Sequence, residues 1–127
     1  MRPTPPSKDG FVYIDGASLG NPGPSGVGVV FMEGRVLKPV RQYALAIGET
    51  TNNVAEYQAL VFALQEAIKA GYTKLTIRTD SELLARQLNG QYRVRNVVLQ
   101  RYHAHAQQLL GHVSQWRIEH IPREQNR

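Results

Sequence analysis

Apolar and polar positions change rhythm several times along this chain, and each change marks an element. Phe11-Val12-Tyr13-Ile14-Asp15 is aromatic and β-branched, and it leads into the Gly- and Pro-rich stretch Leu19-Gly20-Asn21-Pro22-Gly23-Pro24. That pattern predicts a strand followed by a turn. Residues 27–32 predict a second strand, Glu33-Gly34 a tight turn, and residues 36–47 a third strand interrupted at Pro39. Pro39 has no N–H to give a ladder, so it belongs on an edge or at a bulge. In residues 53–70 the apolar positions Tyr57, Leu60, Val61, Leu64, Ala67 and Ile68 follow the spacing of an amphipathic helix, stopped by Gly71. Residues 75–79 predict a strand. A helix from Ser81 to about Asn89-Gly90 follows, then a linker over residues 91–95, a helix over residues 96–110 and a strand over residues 115–121 ending at Pro122.

The order βββαβααβ predicts an α/β domain on a five-stranded mixed sheet. An antiparallel meander of three strands comes first, and two further strands, entered through helical crossovers, lie parallel to the first. Such a sheet calls for helices on both faces. Its ligands are expected outside the carboxyl ends of the parallel strands. With 127 residues, 42% of them hydrophobic, one domain over residues 11–127 is expected, after a flexible segment over residues 1–10.

Composition removes several alternatives. There is no Cys, so neither disulfides nor thiolate metal ligation is available, and a reducing, cytoplasmic setting is expected. Residues 1–10 lack the apolar core of a secretory signal, and no apolar run approaches membrane-spanning length. The net charge of +5 is uneven. Residues 1–80 carry 8 basic and 7 acidic groups and residues 81–127 carry 7 and 3, so the second portion holds +4. A basic portion of this kind suits a polyanionic partner.

The candidate chemistry lies in three acids: Asp15 at the end of the first strand, Glu56 in the first turn of the long helix and Asp80 at the end of the fourth strand. Each also has an ordinary explanation. Asp15 before Gly16 suits a turn, Glu56 three residues after Asn53 suits a helix cap, and Asp80 before Ser81 suits an N-cap. In the expected sheet, however, strands one and four are neighbours and the helix starts above the same edge, so the three carboxylates converge. A cluster of this kind repels itself unless a divalent cation sits in it, and hard oxygen donors without Cys select Mg²⁺ or Mn²⁺. No Walker A loop, HExxH helix or Ser-centred nucleophile motif competes.

Asp15-Gly16-Ala17-Ser18-Leu19-Gly20-Asn21-Pro22-Gly23-Pro24, Thr50-Thr51-Asn52-Asn53-Val54-Ala55-Glu56 and Thr79-Asp80-Ser81 together resemble the ribonuclease HI family in its compact form, in order and at the right elements. The resemblance implies a ribonuclease H-like fold and an endonuclease that hydrolyses the RNA strand of RNA/DNA hybrids by a two-metal-ion mechanism, leaving 5′-phosphate and 3′-hydroxyl ends. It implies Asp15, Glu56 and Asp80 as metal-binding catalytic acids, with two Mg²⁺ ions (or Mn²⁺) in the substrate complex. Asp15 would bridge the ions, and Glu56 and Asp80 would serve the one nearer the leaving group. Ser18, Asn21, Asn52 and Asn53 are implied to contact the hybrid, whose shallow minor groove exposes 2′-hydroxyls. The Asn residues equally suit turns or caps.

The sequence departs from the family pattern in several places. Glu82 stands where well-known members have Gln, and a long Lys- and Trp-rich basic insertion is missing. In its place Gln91-Tyr92-Arg93-Val94-Arg95-Asn96 is short; Arg93 and Arg95 are expected either to meet DNA-strand phosphates or to lie in a solvated loop. The family places a fourth acid after Pro-Arg-Glu-Gln-Asn, a few residues beyond Arg127, which implies slower cutting by the sequence as it stands. Where many members have a mobile His, this chain has Arg123, expected to hold phosphate or assist product release. His103, His105, His112 and His120 are expected to be ordinary helix, surface or sheet residues. The expected partner is the hybrid, with a monomeric protein and no membrane or obligate protein partner. A silent hybrid-binding module and a different nuclease on the same fold are the competing functions.

Overall fold

The computed structural model describes residues 7–34 and 36–126, so the first six residues of the expected flexible segment lie outside it. The elements are β1 (Asp9–Ser18), β2 (Gly23–Glu33), β3 (Lys38–Thr50), α1 (Asn52–Ala70), β4 (Lys74–Thr79), α2 (Glu82–Leu88), α3 (Val97–Leu110) and β5 (Gln115–His120). A single 3₁₀ turn, Arg123–Gln125, follows β5. The strands form one sheet in the order β3-β2-β1-β4-β5. β2 is antiparallel to β1 and β3, and β4 is parallel to β1 and β5, as the element order predicts.

Strand ends differ from the expected ones because pairing extends them beyond the apolar runs. Asp9 and Gly10 pair with Lys74 and Leu75, so they belong to the sheet and not to a flexible leading segment. Lys8 is also tied down: its backbone N–H donates to Thr73 Oγ1 at 2.8 Å, and its ammonium donates to the Ala70 carbonyl at 2.8 Å. β1 likewise continues past Asp15 to Ser18, because Asp15 and the residues after it pair with Gly28 through Ser25 of β2. Pro39 lies on the edge strand beside a register irregularity at Phe31/Met32, where its missing N–H does no harm. Gly71 ends α1 at φ 83°, a left-handed conformation that glycine adopts without steric cost.

The core lies between the sheet and the helices. In β1 the buried positions are Gly10, Val12, Ile14 and Gly16, alternating with the more exposed Phe11, Tyr13 and Asp15. Val29, Phe31, Leu75 and Ile77 continue this buried layer, and Leu60, Leu64, Leu84 and Leu110 pack into the same cluster. α1 covers β1 and β2, α3 packs on α1, and α2 sits against α1, β4 and β5. The Tyr57 hydroxyl of α1 donates to Gln87 Oε1 of α2 at 2.6 Å.

Among the described residues, α1, α2 and α3 therefore all stand on one face of the sheet, not on both as the element order suggested. Crossover handedness explains the difference. β3 to β4 and β4 to β5 step in the same direction across the sheet, and right-handed crossovers in one direction place their helices on one side. The other face carries Arg78, with its guanidinium 4.7 Å from the Phe11 ring centre and 5.4 Å from that of Tyr13. Arg78 also pairs with Glu119 at 3.3 Å. Among the described residues, no helix is long and apolar enough to cross a membrane.

Candidate active site

β4 ends at Thr79, opposite Ile14, while β1 runs on to Ser18. The sheet is thus notched beside Asp15, and Asp80 is the first residue past the end of β4. Glu56 reaches the notch from the first turns of α1. One carboxylate oxygen from each of Asp15, Glu56 and Asp80 lies within 4.8 Å of the others. The elements that bring them together are those the sequence pointed to, although Asp15 comes from within a strand and not from its end.

The ordinary explanations for all three acids fail in the structure. The N-cap of α1 is Thr51, whose hydroxyl accepts the Val54 N–H at 3.3 Å, so Asn53 does not cap the helix. The N-cap of α2 is Ser81, which accepts the Leu84 N–H at 3.2 Å, so Asp80 is not needed there. Asp15 is an extended, paired strand residue and not a turn residue.

Gly16 permits the convergence. A Cβ on Gly16 would stand 2.3 Å from the Ala55 carbonyl and 2.5 Å from the Glu56 nitrogen. Only a bare Cα lets the start of α1 come this close to β1. Thr79, fully buried at the end of β4, accepts the Ser81 N–H at 3.0 Å and so shapes the turn that carries Asp80. Sequence reasoning missed both residues as site builders, although both lie inside the motifs it used. It also missed Asn126, whose amide donates to the Ile14 carbonyl at 2.8 Å next to the acids.

The cluster is electrostatically strained. Glu56 is only 7% exposed. Its pKa is pushed up to about 8, first by loss of hydration and then by the charges of Asp15 and Asp80; the Gly16 N–H and the Thr79 hydroxyl oppose the shift. Asp15 is raised as well, by desolvation first and by Asp80 second, with the Arg123 guanidinium pulling the other way. Glu56 Oε2 is buried with no hydrogen-bond partner. An unpartnered buried carboxylate oxygen facing two more carboxylates is costly in an apo protein and natural in a site for a hard cation. The donor set therefore fits a divalent ion held by Asp15, Glu56 and Asp80.

This strain predicts the pH dependence of the metal-free protein. An acid whose folded pKa lies above its unfolded value adds stability below the unfolded value and loses it as pH rises through the folded one. For Glu56 that window runs from the ordinary 4.5 to about 8. Melting in EDTA is expected to move to lower temperature across this window, and Glu56→Gln is expected to flatten the trend. An equally steep trend in the Gln variant would remove Glu56 as its source.

The other expected site residues divide into three groups. Ser18, Asn21 and Asn52 interlock: the Ser18 N–H and hydroxyl donate to Asn52 Oδ1 at 2.8 and 3.0 Å, and the Asn52 N–H donates to Asn21 Oδ1 at 2.9 Å. This latch ties the β1–β2 turn to the start of α1. With both carboxamide oxygens occupied, each side chain still has its NH₂ group to offer outward. Asn53 is exposed in the first turn of α1. Arg93 and Arg95 are exposed in the α2–α3 connection and belong to none of the described contacts of the acid cluster. Arg123 does come to the cluster, with its Nε 3.7 Å from Asp80 Oδ2. His103 sits on α3 against the Gln87 carbonyl at 3.3 Å, and His120 ends β5, so neither joins the acids.

Comparison with known proteins agrees with this geometry. The family model described as reverse transcriptase-like matches residues 13–127. Ribonuclease HI of Halobacterium salinarum is 41% identical over 123 residues; the match covers 95% of this chain and 61% of that protein, so the chain spans less than two thirds of that relative's length. The crystal structure of ribonuclease H1 from the same archaeon superposes with a TM-score of 0.90 at 39% identity, covering 94% of this chain and 89% of that one. The ribonuclease H1 called LC11, solved in complex with an RNA/DNA hybrid, superposes with a TM-score of 0.87 at 37% identity, covering 92% and 88%. On the family match, the shared fold and the motif residues that build the notch, this chain belongs to the ribonuclease H branch of the reverse transcriptase-like family.

Proposed function

We propose that this chain is a divalent-metal-dependent endoribonuclease that cuts the RNA strand of RNA/DNA hybrids and leaves 5′-phosphate and 3′-hydroxyl ends. The convergence of Asp15, Glu56 and Asp80 within 4.8 Å carries the proposal. Asp15, Glu56 and Asp80 would hold Mg²⁺, with Mn²⁺ also suited to the all-oxygen set and two ions present in the substrate complex. When bound, such ions lower the pKa of the attacking water and neutralise charge on the phosphate. Ser18, Asn21, Asn52 and Asn53, short polar residues carried by the β1–β2 turn and the start of α1, would contact the hybrid. The NH₂ groups of Asn21 and Asn52 suit acceptors in the wide minor groove of a hybrid, including 2′-hydroxyl oxygens. Arg93 and Arg95 suit phosphates of the DNA strand. The likeness to a ribonuclease H1 solved with a hybrid supports this substrate. All three acids come from one chain, which suits a monomer, and the lack of Cys suits the cytoplasm.

A strand-labelled hybrid incubated with the protein and Mg²⁺ tests the proposal. Cleavage is expected in the RNA strand alone, abolished by EDTA, with no cutting of a DNA duplex. Hybrid binding that is indifferent to EDTA, without cleavage in Mg²⁺ or Mn²⁺, would instead mark a silent binding module.

A further inference from the structure

We propose that Arg123 is a tethered counter-cation of the acid cluster, which an incoming divalent ion must displace, so that the strap carrying it sets how tightly the site takes up metal. The strap is residues 121–126. The Ile121 N–H donates to the Thr79 carbonyl at 2.8 Å, and the Asn126 amide donates to the Ile14 carbonyl at 2.8 Å. These two anchors form the last pair between β1 and β4, so the strap crosses the sheet at the end of that pairing, beside Asp15. Its single 3₁₀ turn is closed by Gln125 N–H to Pro122 O at 2.9 Å and Asn126 N–H to Arg123 O at 3.0 Å. Arg123 stands at the start of that turn, over Asp80.

The contact has the character of a removable charge. At 3.7 Å the Nε–Oδ2 separation is too long for a hydrogen bond, and the Arg123 side chain is 91% exposed while that of Asp80 is 8% exposed. The guanidinium thus balances part of the cluster's charge without being built into it. It can swing into solvent at little cost, as exposed ion pairs do. A divalent ion entering among the carboxylates meets this positive charge and gains by its departure.

This inference rests on the metal-dependent reading given above, and the test separates the two. The full chain, Arg123→Gln and Arg123→Lys are stripped of metal and titrated with Mn²⁺ by calorimetry, with thermal melting in EDTA alongside. Arg123→Gln is expected to bind Mn²⁺ about threefold more tightly at low salt. The difference should shrink as salt is raised. The Gln variant should also melt lower than the parent in EDTA, and Arg123→Lys should stay near the parent in both measurements. Equal or weaker Mn²⁺ binding by the Gln variant, with the parent binding normally, would overturn the counter-cation role alone. Failure of all three proteins to bind Mn²⁺ would overturn the metal reading and this inference with it.

Discussion

Replacing Asp15 by Asn is expected to slow hybrid cleavage on the order of a thousandfold, while raising the melting temperature of the metal-free protein. The loss follows from removing a charged ligand where charge must be stabilised during reaction, a place where single preorganised groups contribute about a hundred- to a thousandfold. The gain follows from the geometry: the Asp15 oxygen lies within 4.8 Å of oxygens from Glu56 and Asp80, and its charge helps to raise the pKa of Glu56. Without a cation Asp15 and Asp80 repel as like charges, Glu56 joins them as pH rises through about 8, and an Asn of the same shape removes the Asp15 share. Cleavage rates in Mg²⁺ and melting curves in EDTA measure the two effects. A variant that cuts at the parent rate would take Asp15 out of the reaction. One that cuts slowly but melts lower in EDTA would make Asp15 a structural residue.

Gly16→Ala is expected to be the most damaging single-methyl change in the site. The added Cβ would meet backbone atoms of Ala55 and Glu56 at 2.3 to 2.5 Å, and backbone in the first turns of a 19-residue helix cannot rotate away as a side chain could. Either the helix start moves off β1 or the strand bends. The expected cost is about 3 kcal/mol, at the upper end for overpacking a core. Because the shift separates Glu56 from Asp15, Mn²⁺ affinity and cleavage should fall further than the stability loss alone would explain. Denaturant unfolding and Mn²⁺ titration of the folded variant check this. Gly28→Ala is the control, since a Cβ at Gly28 meets nothing within 4 Å. If Gly16→Ala behaved like Gly28→Ala, close approach would not be the reason for glycine at position 16.

Much of this arrangement was legible in the sequence because its signals are local. The periodicity from Tyr57 to Ile68, the stop at Gly71 and the β-branched run before Asp15 each report one element, and element order then dictates the strand order. The acids could be placed because strand neighbours follow from topology. What escaped was set by pairing and handedness. Asp9, Gly10 and the stretch from Gly16 to Ser18 carry little apolar signal of their own and are extended by their partners in β4 and β2. The placement of α1, α2 and α3 on one face depends on the direction of two crossovers, which no local pattern encodes. Thr51 and Ser81 act as caps where the sequence pointed to Asn53 and Asp80, because a hydroxyl's reach to the N–H three residues on depends on the backbone angle at which each helix begins. Thr79 and Asn126 were invisible as site residues since their roles lie in what a single hydroxyl and a single amide satisfy.

The latch of Ser18, Asn21 and Asn52 bears on the thermodynamics of recognition. Side chains that must be immobilised on binding each cost about 0.5–1.5 kcal/mol in lost rotamer freedom. Here the turn and the helix start are already fastened to one another, with Asn21 and Asn52 held by backbone N–H groups of the same corner. Most of that ordering is completed during folding, so a hybrid bound at this corner, as proposed above, would meet a surface whose shape is set in advance. Loosening the latch, as Asn52→Ala would, should therefore appear as a larger unfavourable entropy of duplex binding by calorimetry, in addition to any contact that the side chain itself makes.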